Sequence, residues 1–125
     1  MCLIRNIIFA KKSILMKERV LVLGASLKPY RYSNIAIKTL LEYGHHVIAV
    51  GNRQGIVQGI EISKQIPEGI KNVDTITLYL GKTNQTTYYD SIMALQPKRI
   101  IFNPGTENEE LERLADENNI ETLEA

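Results

Sequence analysis

The sequence predicts an α/β domain built on a mainly parallel sheet of about five strands, with helices on both faces. Three observations lead there. Short apolar runs rich in β-branched residues recur at residues 20–23, 47–50, 73–80 and 99–102. Stretches with apolar residues at helical spacing separate them. Each run ends in a small or turn-forming residue, at Gly24, Gly51, Gly81 and Asn103. Strands alternating with helices require crossover connections and therefore parallel pairing, and the handedness of those crossovers sets most of the topology.

The first run, Val20-Leu21-Val22-Leu23, is apolar at every position, as a strand covered on both faces should be. After Gly24-Ala25-Ser26 the segment Lys28-Pro29-Tyr30-Arg31-Tyr32 reads as a loop. Pro29 bars an earlier helix start, and Ser33 is the expected N-cap. Ile35, Ile37, Leu40 and Leu41 then turn towards the sheet, and Gly44 stops the helix. Val47-Ile48-Ala49-Val50 is the second strand, followed by the flexible turn Gly51-Asn52-Arg53-Gln54-Gly55. Residues 56–62 suggest a short edge strand broken by Gly59. Residues 73–80 form the next strand. A long helix capped by Asn84 or Thr86 should carry Tyr88, Tyr89, Ile92, Met93 and Leu95 and stop before Pro97. Residues 99–102 are a strand. A last helix spans residues 107–118, with Thr106 as its cap and acidic residues in its first turn. Residues 120–123 begin a final strand.

The 125 residues suit one domain. Hydrophobic residues make up 44% and charged residues 23%, enough to fill a core and too ordered a balance for a disordered chain. Residues 1–15 are apolar and basic, lack a cleavage signal, and are expected to be an extension outside a domain covering residues 16–125. No apolar run reaches the roughly 20 residues of a membrane span. The single cysteine, Cys2, can make neither an internal disulfide nor a zinc cluster, which fits a cytoplasmic protein. Net charge is +1, far from the basicity of a general nucleic-acid binder. The distribution is uneven: residues 1–71 carry 11 Lys/Arg against 4 Asp/Glu, and residues 72–125 carry 4 against 10. A basic first half suits an anionic ligand; ordinary surface solvation is the rival explanation.

In a sheet of this kind ligands sit outside the carboxyl ends of the strands, at the point where strand order reverses. The first loop is the most informative. Gly24 allows close backbone approach, Ser26 and Ser33 add hydroxyls, Lys28 and Arg31 add charge, and the helix N-terminus beside Ser33-Asn34 offers free N–H groups. Together they suit phosphate oxygens. A plain βα turn with solvated basic residues is the alternative. A NAD site would show G-x-G-x-x-G here and an acidic residue after the second strand. The loop has one glycine, and Gly51-Asn52-Arg53 has no carboxylate. Arg53 favours a ribose phosphate, which allows NADP or coenzyme A, or is a solvated turn residue. Tyr79 and Leu80 could line an adenine or pantetheine pocket, or be core. Asn103-Pro104-Gly105 could meet a polar ligand group, or be a turn. His45 and His46 are expected to be an exposed pair at the far end of the sheet, and Asp74 and Asp90 have no evident partner. No nucleophile–base pair emerges.

These motifs resemble a known family. V-L-G-A-S-x-K-P with Arg31 and Ser33, the helix ending Tyr43-Gly44-His45, the strand Val47-Ile48-Ala49-Val50 and the turn Asn103-Pro104-Gly105-Thr106-Glu107-Asn108 are similar, in order and spacing, to the small bacterial CoA-binding domain proteins. Those in turn are similar to the CoA-binding domain of the succinyl-CoA synthetase alpha subunit. The resemblance runs from about Arg19 to Glu124 and implies a Rossmann-like, doubly wound domain that binds coenzyme A or an acyl-CoA without a reaction of its own. It implies that Gly24, Ala25, Ser26 and Lys28 approach the CoA phosphates, with Arg31 and Ser33 supporting that loop. Asn52 and Arg53 would lie near the adenosine, and Tyr79, Leu80, Asn103, Pro104 and Gly105 would line the remainder. Expected partners are this nucleotide ligand and a second copy or a partner enzyme, with no nucleic acid and no membrane. The alternative is an NAD(P)-binding oxidoreductase or redox regulator on a minimal domain. The chain departs from the family in having Gly51-Asn52-Arg53 after the second strand, where Asn-Pro is common. It also stops at Ala125, which leads us to expect a last strand weakly paired at its end.

Overall fold

The computed structural model describes residues 17–125; the expectations for residues 1–15, Cys2 among them, lie outside it. The apolar run after Glu18 forms β1 (Arg19–Leu23), in which Val20, Leu21, Val22 and Leu23 are each completely buried. On one side it pairs in parallel with β2 (His46–Val50), Leu23 opposite Val50. On the other it pairs in parallel with β5 (Thr75–Leu78), Leu23 opposite Leu78. Beyond β2 lie β4 (Ile60–Ser63) and then β3 (Gly55–Val57), the one antiparallel pair. Beyond β5 lie β6 (Arg99–Phe102) and β7 (Glu121–Glu124), both parallel. The sheet order is β3-β4-β2-β1-β5-β6-β7. After β1 the chain winds one way, and after β4 it crosses back to wind the other, so the order reverses between β1 and β5.

Seven strands replace the expected five or so, for local reasons. The segment read as one strand broken at Gly59 is a hairpin. Its two turn residues, Gln58 (φ 50°) and Gly59 (φ 79°), are both left-handed, the geometry that lets a two-residue turn follow the twist of its strands. The last strand is not weakly paired either. All four residues of β7 align with β6, and the Ala125 N–H continues the ladder to the Phe102 carbonyl at 2.9 Å.

Alternation along the strands divides the core between the two faces. Val20 and Val22 join Val47, Ala49 and Ile62 against α1 (Tyr32–Glu42), through Ile37 and Leu40. Leu21 and Leu23 join Ile76, Leu78 and Phe102 on the opposite face. There they meet Ile92 of α3 (Tyr89–Leu95) and Leu111 and Ala115 of α4 (Glu109–Glu117). Each such fully buried aliphatic chain contributes about 1.5–3 kcal/mol relative to exposure.

Three helix starts differ from expectation. Arg31, not Ser33, is the N-cap of α1, because the turn begun at Pro29 closes through the Arg31 N–H to the Lys28 carbonyl (3.1 Å) and leaves Ser33 inside the first turn. The second helical segment starts earlier than Asn84, with α2 (Lys82–Gln85) capped at Gly81, and passes through a 3₁₀ turn at Thr86–Tyr88 into α3. Asn108, not Thr106, caps α4; its Oδ1 accepts from the Glu110 and Leu111 N–H groups at 3.1 and 3.3 Å.

The amino ends of the strands are tied by polar contacts. Arg99 Nη1 donates to both Glu18 carboxylate oxygens (3.0 and 2.9 Å) and to Thr75 Oγ1 (2.7 Å). Asp74 is not partnerless: it accepts from the Arg19 N–H at 2.8 Å and pairs with Lys98 at 3.1 Å. His45 is buried rather than exposed, its Nδ1 accepting from the Glu18 N–H at 3.1 Å, whereas His46 is exposed. Burial pushes the Asp74 carboxyl up, but the Arg19 N–H and the Lys98 ammonium outweigh it and hold it below the ordinary carboxylate range. A carboxyl depressed on folding stabilises fully above its unfolded value near pH 4 and loses that contribution as pH falls through its lower folded value. Asp74→Asn should therefore cost about 1–2 kcal/mol near neutrality. Urea midpoints at pH 6.5 and pH 2.5 will check this: the gap between wild type and variant should be open at the higher pH and nearly closed at the lower.

Candidate functional site

The reversal of strand order opens a crevice where the loops after β1 and β5 diverge, the place where such sheets hold ligands. The β1 loop is pinned there from both sides. The Gly24 and Ala25 N–H groups both donate to the Val50 carbonyl at 2.8 Å, and the Tyr79 N–H donates to the Leu23 carbonyl at 2.8 Å. Gly24 has φ +101°, and a Cβ there would stand 2.8 Å from the Tyr79 carbonyl carbon. Gly51 is constrained by closeness alone, since a Cβ on it would collide with the Ala25 carbonyl oxygen. Further on, the Asn34 side chain donates to the Ser26 carbonyl (2.9 Å), and Ser26 Oγ accepts from the Lys28 N–H (3.1 Å). The loop is thus fastened to the first turn of α1. No side chain caps that helix, and Arg31, Tyr32 and Ser33 at its start line the crevice, which sets its N-terminal N–H groups and positive dipole end there.

Two adjoining clefts occupy the crevice. The first, of about 280 Å³, is lined by Gly24, Ala25, Ser26, Lys28, Arg31, Asn52, Arg53, Tyr79 and Leu80. The second, of about 170 Å³, shares Gly24, Ser26, Arg31 and Tyr79 and adds Ser33, Asn103 and Pro104. Of the residues singled out from sequence, Gly105 alone lines neither; its N–H donates to the Glu107 carboxylate at 2.8 Å. Leu27, Asn84 and Tyr88 in the first cleft, and Tyr32 and Thr106 in the second, were not anticipated. Their shared signal is position, since each falls in the connection that follows a strand's carboxyl end, Tyr88 furthest along it in the 3₁₀ turn.

The first cleft holds three cations, Lys28, Arg31 and Arg53, and no carboxylate among its lining residues. All three are exposed. The Arg31 guanidinium lies 5.9 Å from the Tyr30 ring centre. Behind the second cleft lies a buried polar network that the sequence did not announce. Gln85, completely buried, donates to the Leu80 and Thr106 carbonyls (3.0 and 2.7 Å) and accepts from Asn108 Nδ2 (2.9 Å). Asn103 Nδ2 bridges Thr77 Oγ1 and the Leu78 carbonyl (2.9 and 2.7 Å), and the Thr106 hydroxyl donates to the Asn103 carbonyl (2.7 Å). Among the described residues no group of His, Cys, Asp and Glu could hold a metal ion, and no helix is long and apolar enough to cross a membrane.

The family model for the CoA binding domain matches residues 18–125, from the strand before the glycine turn to the last residue of the sheet. The chain belongs to that family. No curated protein matches. Among solved structures, an uncharacterized protein shares 45% identity, with 87% of this chain and 89% of that one covered and a TM-score of 0.83. A conserved hypothetical protein from Pyrococcus furiosus shares 26%, covering 86% and 93%, with a TM-score of 0.75. A hypothetical protein from Pyrococcus horikoshii OT3 shares 23%, covering 94% and 83%, with a TM-score of 0.80, a likeness of fold. This CoA-binding-domain member has the doubly wound fold its motifs imply.

The glycines offer a direct check on the crevice geometry. Gly51→Ala should destabilise by about 2–3 kcal/mol through the forced clash with Ala25. Gly81→Ala, with nothing within 4 Å of the added Cβ and φ −67°, should change stability by under about 1 kcal/mol. Thermal denaturation of the two variants beside wild type measures both.

Proposed function

We propose that this protein binds coenzyme A or a CoA thioester and has no reaction of its own. The carrying observation is the first cleft: three cations and, among the described residues, no carboxylate, set against a glycine turn and against Arg31, the N-cap residue of a helix that no side chain caps. That donor set fits a diphosphate, which takes main-chain N–H groups and cations together. Gly24, Ala25, Ser26 and Lys28 would approach the diphosphate, with Arg31 and Ser33 holding the loop. Asn52 and Arg53, at the end of β2, would face the adenosine, and the Arg53 guanidinium suits the ribose 3′-phosphate that distinguishes CoA from dephospho-CoA. Tyr79, Leu80 and the Asn103-Pro104 turn would contact the rest.

The non-catalytic half of the reading is supported by the lining itself. Among the described residues neither cleft is lined by a carboxylate, histidine or cysteine, and the hydroxyls there have no such base beside them to activate them. His45 and Asp74 sit instead at the amino ends of the strands. A carrier, sensor or buffer of CoA thioesters needs none of this chemistry.

Isothermal titration and thermal shift with CoA, dephospho-CoA, NADP and NAD will test the reading. CoA should bind, and at 100 times its dissociation constant should stabilise the fold by about 2.7 kcal/mol. Arg53→Ala should weaken CoA about tenfold, about 1.4 kcal/mol, and leave dephospho-CoA unchanged, so that the two ligands become equal. A thermal shift from NADP or NAD with none from millimolar CoA would overturn it.

A further inference from the structure

The two clefts differ in charge and in depth, and the difference bears on what group a bound thioester carries. This step rests on the CoA reading above. CoA is electrically lopsided: every phosphate belongs to its adenosine half, and the pantetheine arm ending in the thiol is neutral. The crevice is lopsided in the same sense. Lys28 and Arg53 line only the first cleft, and Arg31 stands at the boundary the two share. Past the second cleft the surface turns acidic on balance, with Glu107, Glu109, Glu112 and Glu124 around the cation Lys82, near the carboxyl ends of β6 and β7. The charge gradient therefore runs along the carboxyl edge of the sheet and orients the ligand, phosphates towards β2 and thiol towards β6.

We propose that the second cleft receives the thiol end and accepts free CoA or a short acyl group, with no channel for a longer apolar chain. Its volume of about 170 Å³ is well under the about 280 Å³ of the first cleft. Its inner wall is Asn103 and Thr106, 2% and 3% exposed, backed by Gln85 at 0%. The donors of these three side chains are committed: Gln85 to two carbonyls, Asn103 to Thr77 and Leu78, Thr106 to the Asn103 carbonyl. A wall of satisfied polar groups cannot part for a hydrocarbon chain without orphaning buried donors, which is costly. The apolar surface beside it, at Tyr32, Tyr79 and Pro104, is small and gives a long chain little to cover. An acyl group of two to four carbons lies within the cleft, and anything longer turns out into water.

The test is a chain-length series, CoA, acetyl-CoA, butyryl-CoA and octanoyl-CoA, titrated into the intact protein and followed by amide resonances. Adenosine 3′,5′-bisphosphate serves as a fragment lacking the arm. An apolar tunnel would raise affinity roughly fourfold per methylene, about 0.8 kcal/mol each. The expected result is that octanoyl-CoA binds no tighter than butyryl-CoA. The Asn103 and Thr106 amides should differ between the CoA and acetyl-CoA complexes, while the Asn52 and Arg53 amides should not. The fragment should move only the latter pair. Octanoyl-CoA binding more than tenfold tighter than butyryl-CoA, or acyl-dependent shifts appearing at Asn52 and Arg53 instead, would overturn this inference and leave CoA binding standing. Failure of both CoA and the fragment to bind would overturn the CoA reading, and this inference with it.

Discussion

The carbonyl of Val50 holds the crevice together. It accepts two N–H groups, those of Gly24 and Ala25, both at 2.8 Å, and so draws the β1 loop over the end of β2 until main chain meets main chain. That closeness leaves no room for a side chain at Gly51, below the Ala25 carbonyl, or at Gly24, against Tyr79. The same contacts set the direction in which the chain leaves β1, and with it the position of the Pro29 turn and the start of α1. A loop fixed in this way arrives at a ligand already ordered, so little conformational entropy remains to be lost on binding.

A second fastening works at the other wall. Gln85 joins the loop after β5 to the loop after β6 by donating to one carbonyl from each, and Asn108 adds the cap of α4 to the same network. Buried amides of this kind are costly unless both ends are satisfied, and specific when they are. Four strand ends are consequently locked in two pairs, β2 to β1 by backbone and β5 to β6 by side chain. The clefts lie in the gap between these two clamps, where Gly24 faces Tyr79.

The repeating elements of the fold could be read from the chain because burial on both faces leaves a plain mark: Val20-Leu21-Val22-Leu23 admits no polar residue, and the lone glycine after it marks the turn. What could not be read depends on partners far apart in sequence. Gln85 looked like one more polar helix residue, since its partners Leu80, Thr106 and Asn108 converge only in the folded chain. His45 looked exposed because adjacent histidines after a helix stop usually are, yet Glu18 reaches it across 27 positions. Ser33 has the chemistry of a cap and lost the position to Arg31 because the Pro29 turn closes one residue pair earlier than a Ser33 cap requires. For the crevice, the strand-end rule located the β1, β2, β5 and β6 loops, and short-range motifs named most of the lining. Thr106, Asn84 and Tyr88 were missed because a residue in a loop or helical turn, seen in sequence, does not say which way it faces.

The uneven division of charge along the chain acquires a spatial meaning in the sheet order. Because the chain winds first to the β2 side and then to the β6 side, its basic first half and acidic second half become the two flanks of one edge. Lys28 and Arg53 fall on the first flank and Glu107, Glu109 and Glu112 on the second. Exposed charges are screened within about 8 Å at physiological salt, so neither flank reaches far into solution. A ligand lying along the crevice has the cations of the first cleft at one end and the glutamates beyond the second cleft at the other. A ligand with its anionic groups at one end meets attraction in one orientation and repulsion in the other. Orientation is thus imposed by the order in which the strands were laid down, before any single side chain makes contact.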